Sequence, residues 1–339
     1  MQIGLIGFGY WGKLLAKTVL NDDRVSNLYI VSNQPALHAE VAASLSGSRV
    51  THQIVSLTQL LALPLDGVLV ATPEETHAYY ANLLLNAGLA CFIEKPLALT
   101  VQEATSLITK AQHNQCILQV DQVFHYDQQF SEFVQVARQY IPTISNVVVY
   151  RSAPMMRQKH VSVIGDTFPH DLYQLRLGFG LELQQLTSVV TKSFRLDGQR
   201  KIASEVTVSG VLAQSSVQRN IKQNTLAYDG LHSWCGSNKQ RLFVVGNRAT
   251  NSWVKWILSD SKVPQIQVWH NNTLVQTQNC LVPKNSPVTQ MIAAWLSTLN
   301  MSWSDNALQM KRHWEGVLKD SYWLDQALKL SVKDQHIRQ

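Results

Sequence analysis

Gln2-Ile3-Gly4-Leu5-Ile6-Gly7-Phe8-Gly9-Tyr10-Trp11-Gly12-Lys13 is the stretch on which the fold turns. Gln2–Ile6 reads as a buried strand and Lys13–Leu20 as a helix, with three glycines spaced between them. At Gly7 the missing Cβ permits a tight strand-to-helix turn. Gly9 lets the backbone approach a pyrophosphate, and Gly12 lets helix and sheet close up. The free N–H groups of the helix start then point at phosphates. The pattern predicts a dinucleotide site at the head of a β-α-β unit.

Outward from this stretch, strand-like and helix-like pieces alternate. Leu28–Val31 reads as a strand, and a helix follows around Ala36–Leu45. Val50–Gln53 and the run 67–71 continue the strands. Thr76–Asn86 is helical and stops at Ala87-Gly88. Ala90–Ile93, Val101–Asn114 and Cys116–Val120 give strand, helix, strand. Alternation at this length implies parallel strands with crossover helices, hence a doubly wound sheet. After a helix near Gln128–Gln139 the text changes to strands: Asn146–Tyr150, Leu186–Lys192, Glu205–Leu212, Arg241–Val245 and Ile266–Trp269. Thr289–Leu299 and Ser304–Leu330 are helical and close the chain. The expectation is an α/β Rossmann domain over 1–121 and an α+β domain over 122–339 with a largely antiparallel open sheet. The last helix is free to pack back on the first domain, and a ligand is expected in the cleft between the two.

Chemistry-bearing residues cluster at the predicted strand ends. The second strand, which usually ends in an acid for the adenosine ribose, ends here in Ser32-Asn33. Without a carboxylate nothing repels a 2′-phosphate, yet no arginine welcomes one, so NAD and NADP both stay open with a lean to NADP. Ala71-Thr72-Pro73 ends the fourth strand. His77, one turn later, reads equally as a helix-capping or surface histidine and as a residue near the cofactor. Glu94-Lys95-Pro96 follows the next strand and suggests an ammonium held in place, proline fixing the chain locally. Asp166 and His170, four apart, share one helix face, with Pro169 expected in the first turn. Such a pair is more often a local hydrogen bond than a catalytic one. Imidazole nevertheless suits proton transfer near neutral pH, and a carboxylate can orient it.

Composition narrows the class. The chain has 339 residues, which favours two domains, and 45% apolar with 15% charged residues is ordinary for a globular protein. No apolar stretch approaches the ~18 residues of a membrane span. With the first strand starting at Gln2 a signal peptide is not expected, and a cytoplasmic protein is. Cys91, Cys116, Cys235 and Cys280 show no CxxC pairing and no histidine at metal spacing, so a reduced, metal-free chain is expected. The net charge of +6 comes from scattered basic residues rather than a run that tracks nucleic acid. A phosphate-bearing cofactor or substrate accounts for it equally well. Eight of the nine tryptophans lie from Trp234 onward, as core or sheet packing or as part of an oligomer interface.

Taken together, Gly7–Gly12, Ala71-Thr72-Pro73 with His77, the 94–100 stretch Glu-Lys-Pro-Leu-Ala-Leu-Thr and the 166–172 stretch Asp-Thr-Phe-Pro-His-Asp-Leu resemble the Gfo/Idh/MocA oxidoreductase family over essentially the whole chain. The resemblance implies NAD(P)-linked oxidation or reduction of a sugar, polyol or related hydroxyl, often by a dimer or tetramer formed through the second sheet. It implies catalytic roles for Lys95 and His170, with Asp166 supporting the histidine. It also implies cofactor contacts at Gly7, Gly9, Tyr10, Trp11, Gly12, Ser32, Asn33, Thr72, Pro73, His77, Glu94 and Lys95. Tyr10-Trp11 and Pro169-His170-Asp171 are similar to the branch acting on nucleotide-linked sugars. Two departures are the missing acid after the second strand and His125 in Phe124-His125-Tyr126, where many relatives carry arginine.

The expected reaction moves a hydride between nicotinamide and a secondary alcohol or ketone carbon. His170 takes the hydroxyl proton and Lys95 stabilises the charge on that oxygen, or the two exchange duties. Arg151, Arg157 and Lys159 read as a solvated loop or as a cleft wall that meets a substrate phosphate or carboxylate, and Asp171 is a further substrate candidate. Two rivals remain: reduction of an imine or unsaturated substrate, and a non-catalytic dinucleotide-binding regulator.

Overall fold

The computed structural model describes residues 1–32, 51–154, 162–197, 200–214, 226–260 and 262–333. The helix expected around 36–45, together with Asn33, Arg157 and Lys159, lies outside the described residues. The chain divides into two compact units, 1–126 with 285–322 and 127–284 with 323–339.

The first unit is built on β1 (Gln2–Ile6), β2 (Asn27–Val31), β3 (Thr51–Ile54), β4 (Gly67–Val70), β5 (Cys91–Ile93) and β6 (Leu118–Val120). All six pair in parallel, in the order β3-β2-β1-β4-β5-β6. β4, β5 and β6 are buried at every residue, which is why they read as continuous apolar runs without alternation. Helices α1 (Tyr10–Leu20), α2 (Leu57–Leu61), α3 (His77–Asn86) and α4 (Val101–His113) make the crossovers. Ser56 and Gln59 form a capping box at α2, and Thr100 accepts the Glu103 N–H at the start of α4. The strand order reverses at β1, so the crevice of a doubly wound sheet opens at the C-terminal ends of β1 and β4.

The second unit opens with α5 (Gln128–Tyr140), β7 (Asn146–Pro154) and α6 (Val163–Phe179). Seven strands follow: β8 (Leu181–Asp197), β9 (Arg200–Gln214), β10 (Leu226–Ser233), β11 (Cys235–Asn247), β12 (Ser252–Ser259), β13 (Lys262–His270) and β14 (Thr273–Asn279). The sheet runs β14-β13-β12-β11-β7-β10-β9-β8, antiparallel throughout except for the parallel pair β7/β10. An aromatic cluster joins α5 to the sheet, with Phe133 stacked on Trp256 at 5.8 Å and Phe243 edge-on to Phe133.

Pro169 corrects one expectation. Ser162 caps α6 through the Ile164 N–H, so the helix begins at Val163 and the proline falls inside it. The proline has no N–H to give the carbonyl of Gly165, one turn earlier, and its ring crowds that carbonyl. Tertiary burial of this helix, including Phe168, Leu172, Tyr173 and Leu175, outweighs the defect.

Two closing helices follow, α7 (Pro287–Leu299) and α8 (Trp303–Lys333). All of α7 and α8 up to residue 322 belong to the first unit, so the division between 121 and 122 read from sequence gives way to a discontinuous one. The physical reason is edge protection. The indole N–H of Trp314 donates to Leu118 O at 2.7 Å, and His313 Nε2 accepts the Val120 N–H at 2.9 Å. Both bonds engage backbone groups of the edge strand β6. Trp295 of α7 is fully buried against Phe92, with ring centroids 5.8 Å apart.

Candidate active site

The three glycines of the first turn do different work. Gly7 has φ +96°, and a side chain there would meet Ala71 O at 2.5 Å. A Cβ at Gly12 would come within 2.2 Å of Gly7 O. Both are required by the fold itself. Gly9 is not: its φ is −75°, and a Cβ there would meet nothing within 4 Å. The room at Gly9 therefore serves something other than the protein's own packing. Gly9 is also the N-cap of α1, with no side-chain capping bond and no acid in the first turn. Open space beside an uncapped helix start fits a pyrophosphate.

This sorting makes a prediction. Gly9→Val is expected to keep the wild-type thermal midpoint within about 2 °C, since a Cβ there meets nothing within 4 Å, while titration with NAD(P) shows at least ~10-fold weaker binding. Gly12→Ala is expected to lose stability outright. Unaltered cofactor affinity in Gly9→Val would remove the phosphate role from this loop.

His77 lies between two strand-end turns. Its Nδ1 lies 2.7 Å from Pro96 O and its Nε2 2.9 Å from Thr72 O. It is 2% exposed, and burial holds its imidazole below the ordinary value despite the two carbonyls. Thr76 Oγ1 lies 2.7 Å from Thr72 Oγ1 and donates to Pro73 O at 2.6 Å or to that hydroxyl. Both neighbours are carbonyl oxygens, so the neutral imidazole donates to one of them, and only the imidazolium would donate to both turns at once. The Lys95-Pro96 peptide is cis, and Glu94 and Lys95 are both buried. Tyr10 is half exposed at the start of α1, edge-on to Trp11, and Ser32, partly buried, directly follows β2.

In the second unit, His170 Nδ1 lies 3.0 Å from the Tyr173 hydroxyl, both residues on the buried side of α6. The sequence reading missed Tyr173, although a residue three positions after His170 shares its helix face. Asp166 is half-buried and acts electrostatically on Arg241 and His232. Arg241 stands opposite Arg151 in the β11/β7 register. Burial first and Arg151 second push its guanidinium down to about 10, while Asp166, Tyr173 and Asp127 oppose that shift. Nothing in the spacing of the sequence marked Arg241, because a strand pairing brings it here.

Asp171, a substrate candidate by sequence, and Arg151, read there as solvated loop or cleft wall, meet each other in the interior. Asp171 is fully buried, accepts from Arg151 Nε at 2.5 Å and from the Tyr228 hydroxyl at 2.6 Å, and has His232 Nε2 at 3.5 Å. Arg151 also donates to Gln174 Oε1. The His232 Nδ1 meets Thr167 Oγ1 at 2.8 Å. A buried arginine–carboxylate pair inside such a network holds α6 on the sheet and is not presented to a ligand.

Burial, partly opposed by Asp171, pushes His232 down to about 4. A histidine kept neutral in the fold but charging near 6.5 when unfolded stabilises fully above that pH. The contribution is lost as pH falls from about 6.5 toward 4. Urea unfolding is expected to show His232→Gln losing less stability than wild type between pH 7 and 4.5, by on the order of 2 kcal/mol. Parallel slopes would rule this histidine out as the sensor.

Among the described residues no three His, Cys, Asp or Glu side chains are grouped for a metal, and no helix is long and apolar enough to cross a membrane.

A parallel sheet that reverses order at β1, with open space at the first helix start, defines the class of Rossmann-type, doubly wound folds. Residues 1–122 match the model of the GFO_IDH_MocA oxidoreductase family, NAD-binding Rossmann fold. Residues 1–122 thus carry the NAD-binding domain that this family model describes.

UDP-N-acetylglucosamine 3-dehydrogenase of Acidithiobacillus ferrooxidans is 27% identical over 229 residues, covering 66% of this chain and 68% of that one. Four other curated relatives align over between 28% and 38% of their own length. The solved structure of the Acidithiobacillus enzyme, GnnA, superposes with a TM-score of 0.69 at 22% identity, over 98% of this chain and 97% of that one. KijD10, a 3-ketoreductase from Actinomadura kijaniata solved with NADP, gives 0.74 at 14% identity over 98% and 97%. GenD2 from gentamicin A biosynthesis, solved with NAD, gives 0.72 at 17% over 98% and 95%. At these identities the superpositions establish the shared fold.

Proposed function

We propose that the protein transfers a hydride between NAD(P) and a secondary hydroxyl or ketone carbon of a nucleotide-linked sugar. The observation that carries the substrate class is the extent of one similarity. The likeness to the UDP-N-acetylglucosamine 3-dehydrogenase spans 229 residues, far more than the 122 of the dinucleotide-binding part, so it continues into the second half of the chain.

The loop Gly7–Gly12 and the start of α1 hold the cofactor's pyrophosphate, with Tyr10, Trp11, Thr72 and Pro73 at the same sheet edge. When bound, the nicotinamide supplies the hydride acceptor or donor. Lys95 hydrogen-bonds the reacting oxygen and stabilises its developing negative charge. His170 moves the hydroxyl proton. With Nδ1 engaged by Tyr173, that duty falls to Nε2. Asp166 tunes the same helix face by its charge. Ser32 at the end of β2 offers no carboxylate against a 2′-phosphate, which supports use of NADP as well as NAD.

The test is a steady-state screen of UDP- and TDP-linked sugars, free sugars and polyols with NAD and NADP, followed by reduced-cofactor absorbance. Turnover on nucleotide-linked sugars at least ~10-fold above that on the free sugars is expected. Turnover confined to neutral polyols would overturn the substrate class. Tight cofactor binding without turnover on any of them would favour a regulator.

A further inference from the structure

Two turns leave the parallel sheet side by side. Val70 of β4 stands opposite Ile93 of β5, and the strands run on into Ala71-Thr72-Pro73 and Glu94-Lys95-Pro96. His77, at the first position of α3, has one ring nitrogen on each turn. Its Nδ1 lies 2.7 Å from Pro96 O and its Nε2 2.9 Å from Thr72 O. Both nitrogens are committed to backbone carbonyls, so His77 acts on a ligand through the turns it holds. The Thr72 turn closes on itself, the Thr76 N–H donating to Pro73 O at 2.9 Å. Contact with His77 therefore sets where this turn sits against the next one, not its own shape. Thr72 also lies against the phosphate loop, since a Cβ at Gly7 would come within 3.0 Å of Thr72 Cγ2.

Carbonyl oxygens only accept, so two bonds from one imidazole need two ring protons. A neutral ring has one, and its bare nitrogen then faces a carbonyl lone pair. The shorter contact, at Nδ1, is the one that keeps the single proton. Burial opposes the second proton, and the two carbonyls favour it. Lys95, on the turn after β5, adds to the effect of burial, while Glu75, on the turn before α3, opposes it. The balance places uptake of the second proton below the ordinary histidine range.

We propose that His77 is a positioning residue whose charge sets the coupling of the two turns: neutral, it holds Pro96 O through Nδ1 alone, and on gaining a proton at Nε2 it also takes Thr72 O. Protonation then ties the turn after β4, and the Gly7 loop against it, to the turn that carries Lys95. A cofactor that meets turns already held has less ordering to do and binds more tightly. That consequence rests on the reading of Gly7–Gly12 and Thr72 as cofactor contacts. The placement of the ring protons does not.

The experiment uses the full chain with isotopically labelled histidine. Proton–nitrogen correlation spectra, taken from about pH 8 down to about 4.5, read both nitrogens of each ring. The His77 signals are those absent from His77→Asn. At the alkaline end Nδ1 is expected to carry the proton and Nε2 to be bare. Below about pH 6.5 Nε2 is expected to gain its proton while Nδ1 stays protonated throughout. Calorimetric titration with the oxidised cofactors is the second readout. An asparagine amide stands where Nδ1 does and donates to Pro96 O at every pH, without a second donor for Thr72 O. Wild-type affinity is expected to rise roughly 3- to 10-fold between about pH 7.5 and 5.5, and His77→Asn to lose that rise.

A proton on Nε2 instead of Nδ1 at the alkaline end overturns the proposal. So does a ring doubly protonated there, or one still neutral at the acid end. A rise in affinity that His77→Asn keeps in full also overturns it. If His77→Asn fails to fold by circular dichroism, the signals are assigned with His77→Gln and the wild-type ring decides. Absence of binding to NAD and NADP at every pH would sink the cofactor reading, while the ring spectra would still judge the protons.

Discussion

Lys95→Ala and His170→Ala are each expected to lose on the order of 10²–10⁴ in kcat on the sugar substrate, with cofactor affinity within about threefold of wild type. In the proposed role of Lys95 the ammonium acts on charge that develops in the transition state, so its removal is expected to lower kcat and kcat/KM together. With His170 in its proposed role of proton acceptor, its loss should also flatten the acid limb of the pH profile. Tyr173→Phe removes the hydroxyl that lies 3.0 Å from His170 Nδ1 and is expected to lose less, roughly 10-fold, with a shifted acid limb. Asp166→Asn should likewise lose less than either alanine variant. The measurement is steady-state kinetics across pH, with cofactor affinity by calorimetry. Near wild-type turnover in either alanine variant would remove that residue from the chemistry.

Arg151→Met is expected to destabilise the second unit by about 3–5 kcal/mol, because it strands the fully buried Asp171 carboxylate without its cation. Tyr228 and His232 remain beside that carboxylate, and a neutral His232 does not replace the lost charge. Arg151→Met/Asp171→Leu, which removes both charges, is expected to recover much of the loss. Urea unfolding followed by tryptophan fluorescence measures both variants. A single variant within about 1 kcal/mol of wild type would mean that the pair carries little of the fold. The outcome also decides how β7 is read, as a ligand wall or as the anchor of α6.

The first unit was largely legible because its signals are local. Gly7 and Gly12 are forced by backbone contacts a few residues away or on the adjacent strand, and buried parallel strands read as unbroken apolar runs. β14, with exposed Thr273, Leu274 and Val275 and polar Gln276 and Gln278, lacked such a run and was not read. β10 was missed too: Asp229 and Gly230 interrupt it, and it is held by pairing to β9 and β7 on both sides. The Pro169 expectation failed for a related reason. Propensity places a proline at a helix start, while burial of α6 tolerates it within.

By itself the sequence determined the doubly wound sheet and the tight turn at Gly7 and Gly12, and it nominated Lys95, Asp166 and His170 as candidates, because each depends on spacing along one or two adjacent elements. Tertiary structure alone decided the rest. It showed that Gly9 is free of packing demands and that Asp171 and Arg151 satisfy each other. It set Tyr173 against His170. It returned residues 285–322 to the first unit to cover an open strand edge. These are questions of which buried polar group meets which, and the cost of leaving one unpaired is settled only where distant segments come together.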